Sequence, residues 1–82
     1  MATENIYRFK FSARCPADGA NIEYAAEICA NTMIRVESIH LHLTDIKEGF
    51  QEELADAMHA AFGGKLSIRG VHQGIEILSL RG

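Results

Sequence analysis

Two stretches near the start of the chain place an apolar residue at every second position. Tyr7, Phe9, Phe11 and Ala13 alternate with Arg8, Lys10 and Ser12, and Ile22, Tyr24, Ala26 and Ile28 stand opposed to Glu23, Glu27 and Cys29. Side chains of a strand point alternately to its two faces, so a period of two fits a sheet with one buried face and fits a helix badly. Between the two stretches, Cys15-Pro16-Ala17-Asp18-Gly19 supplies turn chemistry, proline fixing one backbone angle and glycine freeing another. The pair reads as an antiparallel hairpin.

The middle of the chain changes period. Val36, Ile39, Leu43 and Ile46 recur at helical spacing, although Ile39, Leu41 and Leu43 also alternate with His40 and His42. A helix over residues 36–43 is the reading adopted, with a strand as its alternative. Phe50, Leu54, Ala57, Met58, Ala61 and Phe62 then form one apolar stripe, the mark of a second helix. Asp45 with Glu48 offers a capping pair, Gly49 separates the two helices, and Gly63-Gly64 is a natural stop. Leu66 and Ile68 alternate with Lys65, Ser67 and Arg69 as a third strand, residues 70–74 turn the chain, and residues 75–80 form a fourth. The expected fold is α+β: a four-stranded antiparallel sheet with one helical layer, in the order β-β-α-α-β-β.

Composition narrows the setting. The chain of 82 residues is one domain (1–82), and 48% hydrophobic with 23% charged residues is ordinary globular usage. A domain this short buries a modest core, so self-association is an expected source of stability, and any site is small or shared between chains. Eight Lys and Arg against eleven Asp and Glu give a net charge of −3, with the cations scattered, which speaks against nucleic acid as a partner. No apolar run approaches the length of a membrane span, and the first residues lack the basic-then-apolar pattern of a signal peptide. A cytoplasmic protein without a membrane partner is expected, with Cys15 and Cys29 as reduced thiols.

Several short motifs, in one order, resemble the tunnelling-fold (T-fold) family. Cys15-Pro16-Ala17-Asp18-Gly19 looks like the Cys-Pro-x-x-Gly turn of its 7-cyano-7-deazaguanine reductase (QueF) branch. Val36-Glu37-Ser38 is similar to the Glu-Ser pair that opens that branch's cofactor motif, and Phe50-Gln51-Glu52 to its Phe-His-Glu. Gln51-Glu52-Glu53-Leu54 also resembles the Gln-Glu-x-Leu of GTP cyclohydrolase I, and Gln73-Gly74-Ile75-Glu76-Ile77 the Arg-Gly-Gly-Ile-x-Ile strand. The resemblance covers residues 11–77. It implies sheets paired edge to edge between subunits and a purine- or pterin-like small-molecule heterocycle bound at the junction. It also brings NADPH as a cofactor, but the lysine-rich segment that serves NADPH is here Ile39-His40-Leu41-His42, which argues against NADPH-dependent reduction.

By this resemblance Cys15 is the catalytic nucleophile, attacking a nitrile carbon to give a thioimide; a thiolate is suited to that step, and Arg14 beside it would favour one. Read without the family, Cys15 is a semi-buried turn cysteine. Glu52 would bind the substrate, its two acceptor oxygens meeting the N–H groups of the heterocycle's edge; otherwise it is one of several acids complementing a helix start. The family's acid after the Cys-Pro turn is missing or shifted onto Glu23, which is therefore the candidate acid/base. Glu37 and His72 are further candidates for substrate binding, with a first-turn helix acid and a polar turn residue as their ordinary readings. No Cys-x-x-Cys or His-x-x-x-His spacing points to a metal; His72 with Cys15 is the least implausible pair, and no metal is expected. Gly63-Gly64 follows a helix instead of opening one, so it is no phosphate loop. The alternative to an enzyme of 7-deazaguanine (queuosine-type) metabolism is a non-catalytic binding or assembly module of the same fold.

Overall fold

The computed structural model describes residues 3–82. The elements follow in the order β1 (Asn5–Arg14), β2 (Asn21–Ala30), α1 (Val36–Thr44), α2 (Gln51–Phe62), β3 (Lys65–His72) and β4 (Ile75–Arg81). The strands form one antiparallel sheet in the order β1-β2-β3-β4. This is the expected α+β architecture, with the helix reading over residues 36–43 and not its strand alternative.

Register follows from the alternation. Tyr7 pairs with Ile28, Phe9 with Ala26, Phe11 with Tyr24 and Ala13 with Ile22, so the alternating apolar residues of the two strands fall on one face. Directly opposed Phe11 and Tyr24 stack with ring centroids 5.1 Å apart. Leu66 and Ile68 of β3 continue that face, and Leu54, Ala55 and Met58 of α2 cover it. Arg8, Lys10, Glu23, Ala25, Glu27 and Arg69 occupy the other face, which neither α1 nor α2 covers; Arg8 and Glu27 pair across it at 2.7 Å.

The structure departs from the expected pattern in three places. The buried side of α2 is Gln51, Leu54, Ala55 and Met58, while Phe50, Ala57 and Ala61 are exposed. Alanine at 57 and 61 supplies helix propensity and has little area to bury, whereas Gln51 is buried because its amide finds partners on the sheet. Asp45 ends α1 and Glu48 lies in the linker, so they do not cap α2; instead Glu53 accepts the Phe50 N–H at 3.4 Å. The turn expected over residues 70–74 contains only Gln73 and Gly74, both at positive φ (50° and 82°), a two-residue hairpin that lets β3 run through Gly70 to His72. No helix among the described residues is long and apolar enough to cross a membrane.

Candidate functional site

Cys15 continues the core-facing alternation of β1 one step past its end and is 8% exposed. Its N–H donates to the Ala20 carbonyl and its own carbonyl accepts the Gly19 N–H, each at 2.8 Å, closing the loop. Arg14, one residue earlier, belongs to the opposite phase and is exposed, so neighbours in sequence are not neighbours in space here. Inside the loop, the Ala20 N–H donates to Asp18 Oδ1 at 3.0 Å, and Gln73 Nε2 reaches Asp18 Oδ2 at 3.4 Å. The Ala20 N–H holds the Asp18 carboxyl below its ordinary pKa, with smaller help from Gln73 and from the Cys15 thiol beside it and slight burial opposing them.

The linker between the helices brings α2 to this loop. The Arg14 N–H donates to the Lys47 carbonyl at 2.9 Å and the Gly49 N–H to the Arg14 carbonyl at 3.1 Å. That short parallel bridge places Phe50, Gln51 and Glu52 next to Cys15. Arg81 secures the other side, ion-pairing with Asp56 at 2.6 Å and donating to the Glu52 main-chain carbonyl at 3.3 Å. The Glu52 backbone is therefore held while its side chain stays exposed at the helix start, where the dipole favours a carboxylate.

Gln51, 4% exposed, ties α2 to β3 and β4. Its Nε2 donates to the carbonyls of Ile68 (3.0 Å) and Ile77 (2.9 Å) and lies 3.1 Å from Ser79 Oγ. Its Oε1 faces His72 Nε2 at 2.8 Å. Tyr24 packs beside the imidazole, ring centroids 5.8 Å apart, its hydroxyl 3.5 Å from Nε2. Burial, and to a lesser degree charge at Cys15, raise the Tyr24 phenol above its ordinary pKa, so it stays neutral.

These elements enclose a cleft of about 310 Å³ lined by Cys15, Asp18, Phe50, Glu52, His72 and Ile77, among others. That volume suits a single small heterocycle. Concavities of about 370 and 420 Å³ lie on the bare side of the sheet and towards its end, but neither gathers a thiol, carboxylates and an imidazole. Of the sequence candidates, Cys15, Glu52 and His72 meet in the cleft. Glu23 does not: it is on the opposite face of the sheet, in a shallow depression with Lys10 and Arg69. Glu37 does not either, standing in the first turn of α1, exposed and 3.8 Å from Arg35.

Two residues of the cleft escaped sequence reasoning. Asp18 is an acid within the Cys-Pro turn itself, closer to Cys15 in sequence than Glu23; the Asp-Gly pair of the turn was its signal. Gln51 fell within two family-like motifs but was not read as a site residue, because its importance depends on carbonyls of strands many residues away. Among the described residues no group of three or more His, Cys, Asp or Glu side chains is arranged to hold a metal ion.

No family model matches the sequence, and no curated protein matches it. A solved structure does: the archaeosine synthase QueF-Like in its apo form is similar over 95% of this chain and 90% of that one, at 17% identity and a TM-score of 0.71. The β-β-α-α-β-β chain thus has the fold of a QueF-like archaeosine synthase.

Proposed function

We propose that the chain binds a 7-deazaguanine-type heterocycle in the Cys15 cleft and that Cys15 forms a covalent bond to an electrophilic carbon, such as a nitrile, carried by it. The observation that carries this reading is the convergence of the Cys15 thiol, the Asp18 and Glu52 carboxylates and the His72 imidazole from three separate parts of the chain. The likeness in fold to an archaeosine synthase adds the link to 7-deazaguanines. Glu52 meets N–H donors on the heterocycle's edge with paired acceptor oxygens. In the covalent step the Cys15 S–H bond breaks, an S–C bond forms, and one π bond of the nitrile opens. The proton passes through Asp18, ionised at rest, to the nitrile nitrogen, leaving a thioimide. No oxidant or reductant enters that step, which accords with the missing lysine-rich segment.

Self-association belongs to the same proposal. Supporting it are the uncovered face and the free edges β1 and β4, with Leu78 and Leu80 exposed at 52% and 64%. A second copy against them would bury apolar area and strand edges at once. Calorimetric titration of the Cys15→Ala protein with 7-cyano-7-deazaguanine tests the binding half. Saturable binding that weakens at least tenfold in Glu52→Gln, the scale of a lost charged hydrogen bond, supports the reading. Binding unchanged by Glu52→Gln, or no binding, refutes it. Saturable binding without an adduct in the wild type would favour a binding module over an enzyme.

A further inference from the structure

The orientation of the Gln51 amide is dictated by its surroundings. Two main-chain carbonyls, Ile68 and Ile77, lie 3.0 and 2.9 Å from one end of it, and only an NH₂ group can face both. The other end must then be the oxygen, and that oxygen faces His72 Nε2 at 2.8 Å. An amide oxygen only accepts, so Nε2 carries the proton. The neutral imidazole consequently has a bare Nδ1, which makes no hydrogen bond among the described residues. His72 is half-buried and lines the same cleft as Glu52 and Cys15.

We propose that His72 Nδ1 accepts a hydrogen bond from an N–H of the bound heterocycle, and that Gln51 is the positioning residue that holds the imidazole in the Nε2–H tautomer this needs. The proposal rests on the cleft being the ligand site. It gives the cleft a neutral acceptor in addition to the Glu52 carboxylate, a pair that selects ligands rich in donors over those presenting a carbonyl at the same place. Losing the acceptor leaves a ligand N–H desolvated and unpaired, which outweighs the bond itself.

The tautomer is read directly from long-range ¹H–¹⁵N spectra of the labelled full chain at pH 8. The expected result is Nε2–H in the free wild type, with the Nδ1 resonance moving on addition of 7-cyano-7-deazaguanine. In Gln51→Met, His72 should lose its single tautomer and become a mixture. Two substitutions separate the ring nitrogens, because a Gln amide overlays Nε2 and an Asn amide overlays Nδ1. His72→Gln keeps a donor for Gln51 and should bind 7-cyano-7-deazaguanine about tenfold more weakly, whereas His72→Asn should stay within about threefold of the wild type. An Nδ1–H tautomer in the wild type overturns the proposal without recourse to any variant. Wild-type affinity in His72→Gln overturns it while leaving the proposed function intact. Failure of the wild type to bind 7-cyano-7-deazaguanine overturns the functional reading, and this proposal with it.

Discussion

Gly70 tests the packing on which the cleft rests. It lies in β3 on the core side, and an added Cβ would come 2.6 and 2.7 Å from two carbons of the Tyr24 ring and 3.0 Å from Gln51 Oε1. Tyr24 has little room to yield, being 2% exposed and held between Phe11 and His72. Its backbone φ is unexceptional, so strain in Gly70→Ala comes from this contact alone. Overpacking of this kind costs roughly 1–3 kcal/mol, against which alanine recovers about 0.5–1 kcal/mol of backbone entropy in a strand. Because the ring cannot yield, the cost sits in the upper half of that range, and the balance is a loss of about 1–2.5 kcal/mol, or a Tm lower by roughly 4–20 °C for a domain of this size. Urea unfolding of the wild type, Gly70→Ala, Tyr24→Leu and the double variant measures it. The smaller side chain at 24 should relieve the clash, so the double variant should be more stable than the sum of the singles by about 1 kcal/mol. A Gly70→Ala protein as stable as the wild type, or strictly additive losses, would refute the packing argument.

Other outcomes follow from single residues. Gln73 holds φ 50°, a region that asparagine tolerates better, so Gln73→Asn should raise stability by about 0.5–1 kcal/mol in thermal melts, and a decrease would show that its bond to Asp18 matters more. His42 Nε2 is buried without a partner while its ring meets Phe62 edge-on at 5.3 Å; His42→Leu should therefore stabilise by about 1 kcal/mol in urea, and destabilisation would reveal a role for that nitrogen. Tyr24 has its pKa raised in the fold, so the unfolded chain ionises first as pH rises. Stability should be intact below pH 10 and decline above it, and the decline should be smaller in Tyr24→Phe; equal slopes in both proteins would contradict a desolvated phenol.

Much of the fold was legible because each strand buries one face. Alternation at Tyr7–Ala13 and Ile22–Ile28 identified the same side chains that fill the core, and the Gly63-Gly64 stop lies at the end of α2. Two of the departures share a cause: each concerned a residue whose role depends on a partner distant in sequence. Gly70 looked like turn chemistry, yet it is the gap in β3 against which Tyr24 lies. Gln51 entered only as a member of two family-like motifs, yet it is buried by bonds to Ile68 and Ile77. Of the residues that line the cleft, Cys15 and Glu52 were singled out on family-like motifs and His72 on its place before the last strand, while the acid was sought at Glu23, a strand position whose phase turns it to the bare face. Asp18 could have been preferred on local grounds, since it is bound within the same loop as the cysteine.

The most direct test of the account is intact-mass spectrometry of the purified chain after exposure to 7-cyano-7-deazaguanine. The account predicts one adduct per chain with the full mass of the added base, since a thioimide forms by addition with no leaving group. The adduct should survive Cys29→Ala, be lost in Cys15→Ala and form more slowly in Asp18→Asn. An adduct that follows Cys29, or no adduct from a wild-type protein that binds the base, would contradict the assignment of Cys15 as nucleophile.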